Sequence, residues 1–102
     1  MSEQCYWVYI LNCDNGSYYT GYTTDVARRF QEHVQGTGKC KYTRSFKPLR
    51  IAQCWQISGN KAMAMKVEQY IKKMSKKEKE QLLLNPSSLC QYFDIKAYQN
   101  GQ

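Results

Sequence analysis

Two side chains that can act on a phosphate group lie four residues apart in a predicted helix. Arg29 offers a planar guanidinium that can hold two phosphate oxygens. His33 carries an imidazole that ordinarily titrates near neutral pH. Residues at this spacing lie on one side of an α-helix, rotated from the apolar row of Val26, Phe30 and Val34. The pattern predicts a cation and an acid–base group along one helix edge.

The helix that carries this pair has signals at both ends. Thr24 or Asp25 can cap its N-terminus, and Gly36 is well placed to end it. Arg28 and Glu32, also four apart, are expected to form a separate ion pair. The sequence thus predicts a short amphipathic helix.

A run of cations mixed with aromatic side chains follows this helix. Residues 37–47, TGKCKYTRSFK, show neither the helical nor the strand period, so we expect a loop. Cationic groups bind phosphates while aromatic rings stack on bases, so this composition is typical of a contact with a nucleic-acid strand. The residues predicted to bind nucleic acid are Lys39, Lys41, Tyr42, Arg44 and Lys47.

The distribution of charge also favours a polyanionic partner. The chain has 102 residues, with 15 Lys and Arg against 8 Asp and Glu, for a formal net charge of +7. Residues 1–27 contain no Lys or Arg, whereas residues 28–50 contain seven against one acid. A Lys-rich stretch follows at 61–79, and its lysines from 72 to 79, which lie beside Glu78 and Glu80, are better interpreted as a solvated helix face. Nucleic acid is therefore the expected partner.

Cysteine usage and hydropathy argue against other classes of protein. The five cysteines are odd in number and form no Cys-x-x-Cys pair, which disfavours a disulfide framework or a zinc site. No apolar run reaches the roughly 20 residues of a membrane span, and the N-terminus lacks the features of a signal peptide. We expect a cytoplasmic protein with no membrane association.

The first two strands are predicted to form a hairpin. Residues 6–11, YWVYIL, are almost entirely aromatic and aliphatic, as in a strand buried on both faces at the centre of a sheet. An Asn-Gly turn leads to a second strand over residues 17–22, which predicts antiparallel pairing. Tyr9 and Tyr19 would then lie on neighbouring strands.

The remaining elements complete an α+β fold. Residues 50–58 predict a third strand, and a second helix begins near Asn60. A capping-box pattern at residues 75–78 begins a third helix. The order β-β-α-β-α-α predicts a three-stranded antiparallel sheet flanked by helices. Residues 1–86 would form one domain, with residues 87–102 as a partly packed tail.

These motifs resemble those of the GIY-YIG family of nucleases. The first signature of the family falls on residues 7–9, WVY, and its second on residues 19–21, YTG. An arginine follows ten residues after the second tyrosine. Trp7 stands where the first signature opens with glycine, and Thr20 replaces the central isoleucine of the second. The resemblance covers roughly residues 6–84 and is greatest to small stand-alone members.

The resemblance implies a metal-dependent endonuclease. A lone carboxylate suits one Mg²⁺ or Mn²⁺ ion, because such ions keep several waters and bind substrate phosphate. Either Tyr9 or His33 could activate the attacking water, and Tyr19 could orient water or phosphate; the sequence leaves the choice of base open. Asn85 is a loose match to an asparagine that some members use. The implied catalytic residues are Tyr9, Tyr19, Arg29 and His33, and the implied metal ligand is Glu68.

Each implied site residue could also have an ordinary structural role. Tyr9 and Tyr19 are good strand residues, and a lone histidine is often only a surface or hydrogen-bonded group. Glu68 could simply pair with Lys72 one turn later. Independent structural roles are less favoured, because all five positions fit one site.

The sequence therefore predicts an endonuclease that hydrolyses phosphodiester bonds, with DNA favoured over RNA and a role in DNA repair or recombination. The main alternative is a noncatalytic nucleic-acid-binding module of the same fold, and a protein-interaction domain is a third class. A protein partner could supply targeting. The oligomeric state is left open.

Overall fold

The computed structural model describes residues 5–35 and 47–98, and the elements follow the predicted order up to residue 84. The strands are β1 (Tyr6–Cys13), β2 (Tyr18–Thr23), β3 (Pro48–Ile57) and β4 (Ile95–Tyr98). The helices are α1 (Val26–Gln35), α2 (Lys61–Lys72) and α3 (Lys76–Leu84), followed by a 3₁₀-helix (Pro86–Gln91). None of the helices in these residues has the length and apolar character needed to cross a membrane.

The sheet is antiparallel with the strand order β2-β1-β3-β4. The predicted central position of β1 is confirmed, and residues 8–11 are all buried. The predicted number of strands is wrong, because β4 adds a fourth strand at the edge of β3. This strand is four residues long and pairs with a segment about forty residues earlier, so no local pattern in the sequence reveals it.

The β1–β2 hairpin forms as predicted. Gly16 adopts a φ of 83°, the left-handed conformation that an Asn-Gly turn supplies at low cost. In the resulting register Tyr9 lies opposite Gly21, and Leu11 lies opposite Tyr19. Tyr9 and Tyr19 therefore project from the same face of the sheet, because directly paired residues share a face and alternate residues return to it.

The two faces of the sheet are covered by different helices. Val8 and Ile10 pack with the apolar stripe of α2, whereas Tyr9 and Leu11 pack with residues of α1. The alternation of β1 side chains thus separates the core into two clusters. Since β2 is an edge strand, side chains of α1 and α2 can approach each other past this edge.

The helix N-termini use the polar side chains that the sequence indicated. The side chain of Asn60 accepts a hydrogen bond from the first turn of α2, and Ser75 forms a capping box with Glu78 at α3. Asp25, and not Thr24, caps α1, with its Oδ1 3.1 Å from a backbone nitrogen of the first turn. Each such cap contributes roughly 1 kcal/mol to stability.

Candidate active site

A cleft of about 330 Å³ lies at the β2 edge of the sheet, where residues of four elements meet. Four of the five implied site residues line this cleft, and they come from β1, β2, α1 and α2. Five further lining residues were not assigned to the site from sequence: Gly21, Tyr22, Thr23, Arg28 and Glu32. The implied residues in the lining are Tyr9, Tyr19, Arg29 and Glu68.

The fifth implied residue, His33, is buried next to Tyr9 and is only 1% exposed. The Tyr9 hydroxyl oxygen lies 2.9 Å from His33 Nε2. The ring of Tyr19 meets the imidazole edge to face, with centroids 4.9 Å apart. The hydroxyl of Tyr9 therefore connects the cleft to the buried imidazole.

Val26 and Phe30 of the predicted apolar row pack on the sheet, but the prediction is wrong for Val34. Val34 is 36% exposed, whereas His33 is the buried residue of the helix. Tyr9 offers the imidazole a hydrogen bond, and Tyr19 offers it an aromatic contact. These two partners make burial of a polar ring favourable, which the spacing of apolar residues could not indicate.

The pKa of His33 is lowered to about 4, mainly by burial and also by the positive charge of Arg29, against a smaller opposite effect of Glu32. The imidazole is therefore neutral at neutral pH. In one tautomer Nε2 accepts the hydrogen of the Tyr9 hydroxyl, and in the other Nε2–H donates to the phenolic oxygen. Both arrangements give Nε2 a hydrogen-bond partner.

The lowered pKa of His33 predicts a loss of stability in acid. The unfolded imidazole binds a proton below about pH 6.5, but the folded imidazole does so only near pH 4. Between these values the unfolded state binds more protons. The free energy of unfolding should therefore decrease as pH falls, by up to about 1.4 kcal/mol per pH unit, while this group contributes no pH dependence above pH 6.5.

Urea unfolding of the wild type and His33→Gln at pH 7.5 and pH 5, without metal ions, measures this effect. The variant should lose less stability between the two pH values than the wild type does. Equal losses would show that protonation of His33 does not oppose folding.

Arg29 is held at the cleft by an ion pair with Glu32. Its Nη1 donates to Glu32 Oε1 at 2.8 Å, and both side chains are partly buried. The sequence predicted that Glu32 would pair with Arg28, and this is wrong. Residues three apart are also neighbours on a helix, and Arg29 is the arginine of the two that is partly buried. A nearby carboxylate offsets the desolvation of its guanidinium.

Glu68 is the buried carboxylate of the cleft, with only 8% of the residue exposed. Lys72 Nζ lies 3.4 Å from Oε2, so the pairing considered from sequence does form. Gln69 donates its side-chain amide to Oε1 at 3.2 Å. The side chain of Lys72 is 44% exposed, so its ammonium can exchange this contact for water.

The donor set around Glu68 fits a hard cation such as Mg²⁺ or Mn²⁺. In the described ranges, no three His, Cys, Asp or Glu side chains are grouped as a metal site. Burial raises the pKa of the Cys54 thiol to about 11, and Cys54 does not line this cleft. A cation held by Glu68 would take its other ligands from water and phosphate, which Mg²⁺ accepts readily.

Gly21 allows the ring of Tyr9 to lie across β2. A Cβ atom at this position would come within 2.5 Å of the Tyr9 hydroxyl oxygen and 2.8 Å of its Cζ. Tyr9 is only 2% exposed and its hydroxyl is hydrogen-bonded to His33, so its ring has little room to move. Gly21→Ala should therefore destabilise the protein by roughly 1–3 kcal/mol, as overpacked cores usually do.

Chemical denaturation of a double-mutant cycle with Tyr9→Phe measures this contact. Tyr9→Phe removes the hydroxyl oxygen, which is the atom nearest to a Cβ at position 21. Gly21→Ala should therefore be less destabilising in the Tyr9→Phe background. Additive effects of the two substitutions would contradict the contact.

Most of the residues predicted to bind nucleic acid lie outside the described residues, as does Gly36. Among them are Lys39, Lys41, Tyr42 and Arg44. Lys47 is described and exposed, and its backbone nitrogen is 3.2 Å from Asp14 Oδ1 at the hairpin turn.

Asn85 lies apart from the cleft that contains Glu68. It lines a second cleft, formed by residues of α2, α3 and the 3₁₀-helix. Asn85, the loose match to an asparagine that some family members use, therefore does not line the same cleft as Glu68.

Comparisons of the sequence with known proteins identify close relatives. The model of the GIY-YIG catalytic domain family matches residues 5–81. The chain is 47% identical over 78 residues to UPF0213 protein BH0048 of Halalkalibacterium halodurans, covering 76% of this chain and 81% of that protein. It is 36% identical over 97 residues to UPF0213 protein YE0453 of Yersinia enterocolitica, covering 94% of this chain and 98% of that protein.

A comparison of structures leads to the same group of proteins. The solution NMR structure of UPF0213 protein BH0048 from Bacillus halodurans matches with a TM-score of 0.50 and 43% sequence identity. The match covers 83% of this chain and 92% of that chain. The names of these relatives state no activity.

Proposed function

This chain belongs to the GIY-YIG catalytic domain family, and from that membership and the geometry of the cleft we propose that it is a metal-dependent endonuclease acting on DNA. The supporting observation is that Glu68 lines the same cleft as Arg28 and Arg29. A buried carboxylate repels phosphate unless a cation lies between them. A cleft that only bound nucleic acid would gain nothing from such a group.

We assign activation of the attacking water to Tyr9. Tyr9 lines the cleft, whereas His33, which shares a hydrogen bond with its hydroxyl, does not. An isolated tyrosine with a pKa near 10 is a poor base at neutral pH. The hydrogen bond to neutral His33 holds the Tyr9 hydroxyl in place, and a cation bound in the cleft would stabilise the phenolate that takes a proton from water. The geometry thus favours Tyr9 as the group that contacts water, with His33 acting through it.

Arg29 is proposed to bind the scissile phosphate. Its guanidinium can contact two phosphate oxygens and offset the charge that develops on them in the transition state. The ion pair with Glu32 holds it at the cleft before substrate binds. Tyr19 packs against His33 and lines the cleft, so it can orient water or phosphate.

Glu68 is proposed to hold the metal ion, with Lys72 turning to solvent when the ion binds. Bound Mg²⁺ or Mn²⁺ would neutralise phosphate charge and stabilise the leaving oxygen. A role in DNA repair or recombination and a cytoplasmic location stay predictions of the sequence, as does a protein partner that supplies targeting.

Cleavage assays on labelled single-stranded, duplex and branched DNA and on RNA test the proposal, each with Mg²⁺, Mn²⁺ or EDTA. The wild type should cleave only with metal, and DNA should be cleaved faster than RNA. Arg29→Ala should lose activity by about 10²- to 10³-fold. Arg50→Ala removes an exposed arginine on β3 and serves as the matched control.

The noncatalytic alternative predicts a different result in the same assays. Such a module would bind nucleic acid with steep salt dependence but would not cleave it under any metal condition. Binding that is insensitive to salt would instead indicate a protein-interaction domain.

A further inference from the structure

A second group of aromatic side chains lies on the face of the sheet that carries Tyr9. Strand pairing places Tyr9 opposite Cys54, and Cys54 opposite Tyr98. Directly paired residues share a face, so Tyr98 lies on the same face as Tyr9. The two residues are two strands apart, which places their backbones roughly 10 Å from each other. Trp7 is two residues before Tyr9 on β1 and also shares its face.

Trp7 and Tyr98 contact each other on this face, with ring centroids 5.5 Å apart and planes at 86°. Trp7 and Lys96 both pair with the same residue of β3, Gln56, so Lys96 also lies on this face of the sheet. Tyr98 is 53% exposed and Lys96 is also exposed. We term Trp7, Tyr98 and Lys96 the aromatic shelf. It combines exposed ring surface with a cation on the edge strand.

We propose that the aromatic shelf binds unpaired nucleobases of the strand whose phosphate occupies the cleft. This inference rests on the proposed function and deepens it, because it names the substrate class as single-stranded or locally unpaired DNA. Aromatic rings stack on any base, whereas bases inside a duplex are stacked and paired and cannot reach a protein ring. A duplex would therefore contact the cleft but not the shelf.

Charge and position support nucleic acid as the occupant of the shelf. The exposed ammonium of Lys96 can meet phosphate beside a stacked base, and the chain as a whole carries +7. A second copy of this chain would bring the same positive charge. Trp7 of the shelf pairs with Thr23 of β2, and Thr23 lines the cleft, so the shelf and the cleft adjoin and one strand can contact both.

Trp7 makes the shelf a feature of this chain and not of the family signature. The signature opens with glycine at this position, which would provide no ring. Trp7 also provides a direct optical probe. The other tryptophan, Trp55, is fully buried, so quenching by a stacked base should come from Trp7.

Titration of the intact protein in EDTA with a short single-stranded DNA, its duplex and an abasic single strand tests the inference without cleavage. Single-stranded DNA should quench the fluorescence of the wild type more than the duplex or the abasic strand does. Trp7→Phe should remove most of this quenching. Tyr98→Ala should weaken single-strand binding by about 5- to 100-fold and change duplex binding by less than about 2-fold.

Two control variants distinguish base stacking on Tyr98 from a general loss of affinity. Tyr98→Phe keeps the ring and should bind like the wild type. Tyr92→Ala removes a tyrosine that is 67% exposed and contacts Tyr70 of α2, and it should also leave binding unchanged. Unchanged single-strand affinity in Tyr98→Ala, or equal losses on duplex and abasic DNA, would overturn the proposal. So would self-association that Tyr98→Ala abolishes.

The cleavage assay keeps this inference distinct from the proposed function. If the wild type binds single strands through Tyr98 but never cleaves them, the nuclease proposal is wrong and the proposal for the aromatic shelf stands. If the wild type cleaves DNA and Tyr98→Ala binds and cleaves every substrate equally well, the proposal for the aromatic shelf is wrong and the nuclease proposal stands.

Discussion

Replacement of Glu68 by glutamine should lower the rate of metal-dependent cleavage by about 10³-fold or more. Glutamine keeps the shape of the side chain but removes the charge that would hold the ion, whose contribution to the transition state is several kcal/mol. Binding of DNA in EDTA should become stronger. Without metal, the buried carboxylate opposes phosphate in the cleft, and the substitution relieves this repulsion.

Cleavage rates at saturating Mg²⁺ and binding affinities in EDTA together measure these two effects. The ion pair with half-exposed Lys72 contributes little to folding, so the stability of the variant should stay within about 1 kcal/mol of the wild type. Glu80→Gln is the matched control, because Glu80 is exposed on α3. Weaker binding in EDTA, or full cleavage by the variant, would refute the role of Glu68.

Tyr9→Phe should lower kcat by about 10²- to 10⁴-fold, the usual contribution of proton transfer by a positioned side chain. The substitution keeps the ring that packs under α1 and removes only the hydroxyl between the cleft and His33. His33→Gln should lower kcat less than Tyr9→Phe does, because the hydroxyl of Tyr9 remains at the cleft.

The pH dependence of kcat distinguishes a proton relay from a purely structural role. Because burial lowers the pKa of His33 to about 4, wild-type activity should persist down to about pH 5 and not decline near pH 6.5. Tyr18→Phe is the control, since Tyr18 lies in the same hairpin but packs with the core on the other face. Equal kcat values for Tyr9→Phe and Tyr18→Phe would exclude Tyr9 as the base.

The elements with strong local signals were predictable from the sequence. These elements are the apolar run of β1, the Asn-Gly turn and the caps at Asn60 and Ser75. The interactions that form them involve residues close together in the sequence, so a short segment is enough to predict them. Strand β4 depends on the edge that β3 offers, and a four-residue segment has no signal strong enough to indicate this pairing.

The sequence by itself determined which residue types are available for phosphate chemistry and the order of the elements that carry them. Only the tertiary structure decided that Tyr9, and not His33, faces the cleft, and that Arg29, and not Arg28, pairs with Glu32. Each of these outcomes depends on how α1 rotates against the sheet. That rotation is set by packing and hydrogen bonding between residues distant in the chain, which spacing along one helix cannot specify.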